Sequence, residues 1–255
     1  MISSFTSYKN LFYSFFLVAL TVVATSCADD DDAPAGPSTV TLEFQNQFEG
    51  QALALRQEYI NAQGQRVTFS SFRYYISNVK LTRADGSQYV QPDSYHLIER
   101  TADNVKETFT LADVPAGDYT SLTFSVGVDP TRNLSTDQVG DLDPNHTMAW
   151  NWDTGYKFLV AEGQYFNTAE NTFRNFIYHV GNDANYRTVT LALPSGWQLT
   201  GQAKTLILTA NAKTLFGGPN VIDLSAMGFF TVMGGDNAAL VADNYQQMFQ
   251  VKQGQ

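Results

Sequence analysis

Period-two alternation of apolar and polar residues is the feature that most narrows the fold. Val40, Leu42 and Phe44 alternate with Thr41, Glu43 and Gln45, and Leu122, Phe124, Val126 and Val128 alternate with polar or small neighbours. Side chains two apart share one face of a strand, so each segment buries one face and wets the other. Further candidate strands lie at 51–57, 95–98, 107–111, 156–162, 172–180, 188–193 and 205–210, with two more inside 67–81. Asp85-Gly86 and the run from Val114 through Pro115, Gly117 and Tyr119 read as turns between them. Short strands with regular turn signals predict an all-β chain folded as a β-sandwich, immunoglobulin-like or related. The end of the chain departs from this pattern. Asp236-Asn237 can cap a helix, and Leu240, Val241, Tyr245, Met248 and Phe249 fall on one helical face, which predicts a short C-terminal helix packed on the sandwich.

The first residues predict a destination. Lys9 precedes an apolar stretch at 11–24 that is shorter than the roughly 20 residues a membrane span needs, so residues 1–26 read as a lipoprotein signal peptide. Ala24-Thr25-Ser26-Cys27 resembles a bacterial lipobox, which makes Cys27 the expected lipidation site. Cys27 is also the only cysteine, so an intrachain disulfide and a Cys-rich zinc or iron–sulfur site are excluded. Residues 27–38 hold the run Asp29 to Asp32 followed by Pro and Gly, the composition of an acidic flexible tether. The folded domain is expected at 39–255. The location expected is that of an outer-membrane lipoprotein, periplasm-facing or surface-exposed, touching the membrane through its lipid anchor only.

Composition and motifs then narrow the chemistry. Lys and Arg number 15 against 25 Asp and Glu, a formal net charge of -10. Binding to nucleic acid is driven by neutralising phosphates, and an acidic chain without a basic cluster argues against it. Hydrolase signatures such as Gly-x-Ser-x-Gly, His-Glu-x-x-His and a phosphate loop do not occur, so binding rather than catalysis is expected. Ligands that suit copper are concentrated after a polar stretch at 129–145, where His146, Met148, Trp150 and Trp152 alternate as they would along one face of a strand. The plain alternative is a core strand in which Met and Trp are large apolar residues. His96 and His179 lie on other candidate strands, and Met227 and Met233 are secondary thioether candidates.

Six pieces occur in a telling order. They are Phe72-Arg73-Tyr74-Tyr75-Ile76-Ser77-Asn78-Val79, Tyr95-His96-Leu97-Ile98, the Val114 to Tyr119 turn, the run from Met148 through Trp150, Gly155, Tyr156 and Lys157 to Phe158, Tyr178-His179-Val180-Gly181, and Ala242-Asp243-Asn244. Together they resemble the MbnP-like copper-binding family over roughly residues 39–250. The resemblance implies a β-sandwich outside the cytoplasm that binds copper, as Cu(I) or Cu(II). It also implies that His96 and His179 stand at the family's histidine positions and that Trp150 is the tryptophan at the metal. In some members that tryptophan is oxidised to kynurenine by a di-haem peroxidase-like partner, and a TonB-dependent transporter is a further expected partner. A competing expectation is a surface binding or adhesion module without metal, recognising a glycan or a partner protein through exposed aromatics.

Overall fold

The computed structural model describes Met1 and residues 36–135, 137–150 and 155–252. The expected signal peptide, Cys27, the acidic run and Trp152 lie outside the described residues. In chain order the first strands are β1 (Ser38–Phe48), β2 (Gln51–Ala52), β3 (Glu58–Ile60), β4 (Arg66–Arg83), β5 (Gln88–Val90), β6 (Tyr95–Arg100), β7 (Val105–Lys106) and β8 (Thr108–Val114). Then follow β9 (Gly117–Val126), β10 (Lys157–Asn167), β11 (Thr172–Gly181), β12 (Arg187–Ala192), β13 (Gln198–Leu199), β14 (Lys204–Asn211), β15 (Thr231–Val232) and β16 (Phe249–Val251). The α-helices among the described residues are α1 (Pro130–Asn133), α2 (Thr214–Gly217) and α3 (Gly235–Gln246).

Two sheets form the sandwich. The smaller runs β16–β14–β1, with β8 and β2 on the other side of β1, and its β1–β14 pair is parallel. The larger follows the path β12–β9–β4–β10–β11–β15, with β3, β5 and β6 also on β4. The alternation in β1 does what its sequence predicts. Val40, Leu42, Phe44 and Phe48 point between the sheets and are buried. The Phe44 ring packs edge-on against Tyr74, Phe124 and Phe249 and stacks on Phe109, with centroids 5.8 to 6.3 Å apart. Such pairs add about 0.5–1.5 kcal/mol each beyond the burial itself.

Strand β4 organises the larger sheet, and here the sequence reading is corrected. The two candidate strands inside 67–81 are one strand of 18 residues. Asn78 takes a left-handed φ of 54°, and the register with β9 shifts between Ser77 and Lys80. Tyr74 faces Ile98 on one edge and Leu159 on the other; Ile76 faces His96 on one edge and Val126 on the other. Strands β9 and β10 therefore lie end to end along the edge of β4 opposite β6. The end of β9 and the start of β10 are adjacent on that edge, and the connection between them loops out over the outer face of the sheet and back. That crossing covers a second, smaller apolar cluster of Tyr75, Leu97, Val128, Leu142, Met148, Tyr156, Phe158 and Val160, separate from the core between the sheets.

Two further expectations are adjusted. Of the candidate strand at 51–57, Gln51 and Ala52 alone form a strand. The C-terminal helix is present, but it starts at Gly235 after Gly234, with no side-chain cap, and Asp236 falls in its first turn. Val241 and Tyr245 bury as the helical spacing predicts, whereas Phe249 leaves the helix to pair with Ala210 on the edge of the smaller sheet. An unpaired edge of β14 outcompetes one more helical turn.

Candidate functional site

The crossing from β9 to β10 is held to the sheet by side chains of the sheet itself. Arg73 donates from Nη1 to the carbonyl of His146 (3.1 Å) and to Thr147 Oγ1 (3.0 Å). Tyr75 Oη donates to the carbonyl of Asp141 (2.9 Å), and Tyr156 Oη to that of Leu142 (2.6 Å). Asn78 Nδ2 reaches Asp129 Oδ2 (2.9 Å) and Tyr186 Oη (2.7 Å). Burial pushes the Asp129 carboxyl up, but hydrogen bonds from Tyr95, Asn78 and Thr131 outweigh it and hold it below the usual carboxylate range. Burying a loop requires partners for its backbone polar groups. Arg73 and Tyr75, two residues apart on one face of β4, supply them, while Asn78 holds the Asp129 side chain at the start of the same segment.

The expected strand through His146 to Trp152 does not form in its described part. Pro144–His146 is a 3-10 turn, Thr147 is left-handed at φ 61°, and Ala149 makes a single bridge to Tyr156. Asp143 initiates the turn by accepting from the Asn145 N–H, and Pro144 suits its first position. The side chains therefore do not share one face. His146 is exposed, Met148 is fully buried in the outer cluster, and Trp150 is 7% exposed.

Trp150 closes one side of a cleft of about 610 Å³ that is also lined by Asn145, Thr147, Lys157, His179 and Met233. The Trp150 and His179 rings lie 6.3 Å apart at 59°. Lys157 Nζ stands 5.4 Å from the centre of the Trp150 ring and donates to the carbonyl of Thr147 (2.8 Å). Burial, then the Arg73 charge, pull its ammonium below the ordinary lysine range. Gly181 makes the approach of Trp150 possible. A Cβ there would stand 2.4 Å from the Tyr156 carbonyl and 3.0 Å from Trp150 Nε1.

His179 Nε2 lies 2.6 Å from Glu162 Oε1. The hydrogen bond from His179 is the main cause that lowers the Glu162 carboxyl below its usual range, helped by Arg73 and Lys157 against burial. An imidazole that gives its Nε2–H to a carboxylate keeps Nδ1 unprotonated, which is how metal-binding histidines are commonly oriented. Glu162 is absent from the sequence expectations, yet a signal for it exists. Strands β10 and β11 form a hairpin whose turn pairs Asn167 with Thr172, and that register sets Glu162 opposite Ile177 and Val160 opposite His179. Glu162 and His179 are then diagonal neighbours on one face, within reach of long side chains.

The family model of MbnP matches residues 37–233. The chain belongs to the MbnP family. The solved structure of MbnP from Methylosinus trichosporium superposes with a TM-score of 0.53 at 20% identity, over 78% of this chain and 81% of that one, which is a likeness of fold. No curated protein matches.

Against this MbnP-family frame the candidate ligands separate. His179 and Met233 share the cleft beside Trp150. His96 does not: it pairs with Ile76, whose side chain enters the core between the sheets, whereas His179 pairs with Val160 of the outer cluster. The His96 ring stacks on Phe109 at 3.6 Å, and its Nε2 meets Gln91 Oε1 at 2.9 Å. Burial pushes the pKa of His96 down to about 4. Met227 is 93% exposed and stands apart from the cleft lining. Among the described residues no group of three or more His, Cys, Asp or Glu comes together. Asp243 and Asn244 serve as fastenings. Asn244 is buried and ties the Leu215 and Asn220 carbonyls to α3, while Asp243 takes Arg187 Nε at 2.9 Å.

Proposed function

We propose that this MbnP-family protein is an extracytoplasmic, lipid-anchored copper-binding protein rather than an enzyme, with its metal held beside Trp150. The observation that carries the reading is the Glu162–His179 pair in the Trp150 cleft, with Met233 on the same lining. The donor set fits copper. One oriented imidazole and one thioether suit soft Cu(I) better than a site that must satisfy Cu(II) with several nitrogens. His179 and Met233 would supply nitrogen and sulfur, and Glu162 would fix the imidazole. Bound copper supplies a one-electron couple next to the tryptophan.

Trp150 is the residue for oxidation to kynurenine by a di-haem partner. The change breaks the C2–C3 bond of the indole and leaves one oxygen atom on each carbon; two molecules of hydrogen peroxide, reduced to water at the partner's haems, supply the oxygens and the four oxidising equivalents, and a further water then releases the formyl group as formate. Co-expression with such a partner and intact-mass measurement tests it: the expected product gains one oxygen and loses one carbon, and an unmodified mass sinks the step. Cys27 carries the anchor, and a TonB-dependent transporter remains the expected envelope partner.

Titration of the purified chain with Cu(I) against a competing chelator tests the central reading. His179→Ala should lose high-affinity binding, and His96→Ala should keep it. Equal retention by both variants would overturn the assignment. The adhesion reading needs exposed tryptophans, and the tryptophans among the described residues, Trp150 and Trp197, are each 7% exposed.

A further inference from the structure

We infer that Lys157, backed by Arg73, is the residue that makes this cleft discriminate against divalent copper in favour of the monovalent ion. The inference rests on the copper reading above and adds to it the determinant of oxidation state. Lys157 enters the cleft at the start of β10 and is held there twice, by the Thr147 carbonyl at 2.8 Å and by the face of Trp150 at 5.4 Å. Among the described residues no carboxylate forms an ion pair with it. The carboxylate beside the cleft, Glu162, is hydrogen-bonded to His179 and also attracts Lys157, which offsets part of the ammonium's charge. Arg73 adds a second positive charge from the next strand: it is in register with Val160, and through Val160 with His179. Glu99 on β6 lies opposite Arg73, and Lys157 is the cation that stands over the tryptophan.

A fixed cation repels a divalent ion twice as strongly as a monovalent one at the same place. Even at about 12 Å, at an effective dielectric of about 20, the extra unit of charge is worth about tenfold in affinity, and nearer the ion it is worth more. The same charge has a second consequence. A tryptophan under an ammonium gives up an electron less readily, because the radical cation would form against a like charge, so Lys157 also tunes when Trp150 can be oxidised.

The test uses the full chain and its Lys157→Gln and Lys157→Arg variants. Glutamine keeps a donor for the Thr147 carbonyl without the charge; arginine keeps the charge. Cu(I) and Cu(II) affinities are measured against chelators of each ion, with the reduction potential of the copper-loaded protein. Lys157→Gln should tighten Cu(II) about tenfold relative to Cu(I), which lowers the potential by about 59 mV for a one-electron couple. Lys157→Arg should leave both near the wild-type values. Copper bound with an unchanged ratio in Lys157→Gln, or an equal shift in Lys157→Arg, overturns the role of the charge. Failure of the wild-type chain to bind either ion overturns the copper reading itself, and the inference with it.

Discussion

The two faces of the larger sheet are built on different principles. The inner face is a field of aromatic rings contributed by both sheets, with Phe44 and Phe249 touching each other and each touching Tyr74 and Phe124. The outer face is a small apolar patch roofed by one connection, and the roof is held by hydrogen bonds from Arg73, Tyr75 and Tyr156. Hydrophobic burial is non-directional and supplies most of what holds the inner face. The outer face needs particular donors at particular positions, and its shape can therefore be altered without unfolding the domain. The candidate site sits where that second principle operates. His179 and Trp150 meet on the outer face, whereas His96 belongs to the inner one.

Phe44→Ala should have the largest effect on stability. It empties a site that touches four rings, and truncation of a buried Phe costs about 3–5 kcal/mol. Denaturant unfolding should show that loss, and a change under 1 kcal/mol would mean the inner face is not the seat of stability. Gly181→Ala should cost less overall, about 1–3 kcal/mol from overpacking, but it should push Trp150 out of the cleft. A red-shifted tryptophan emission together with lost copper affinity would show this. Retained affinity with unchanged fluorescence would break the claimed link between Gly181 and the site.

The placement of His96 in the inner face can be tested by pH. His96 is depressed to about 4 in the folded chain, against about 6.5 unfolded. Between those values the unfolded state binds more protons, so stability is complete above the unfolded pKa and falls as pH drops from about 6.5 towards 4. His96→Gln should flatten that part of the stability profile. A slope that survives the substitution would place the titrating group elsewhere.

Much of the frame is legible in the sequence because alternation and turn chemistry are local. The strands around Val40, Leu122, Leu159 and Leu206 follow from period two, and Asp85-Gly86 marks a real turn. The errors have a common cause. His146 to Trp150 alternates like a strand, but Pro144 and a left-handed Thr147 turn the backbone so that His146 points to solvent and Met148 into the outer cluster. The candidate strands in 67–81 merge because neighbours on both edges hold the chain through the bend at Asn78. Glu162 is missed by local patterns because only the β10–β11 hairpin register brings it beside His179, 17 residues away.

By itself the sequence determined that this chain makes a sandwich of short strands with a helix near its end, and that His, Met and Trp cluster in a few shared motifs. These are properties of neighbours along the chain. The tertiary structure alone decided which of those residues meet. Two histidines on strands of one sheet can face opposite sides, and only strand register says which side each takes. That register sets His179 with Glu162 beneath Trp150 and sends His96 to stack on Phe109.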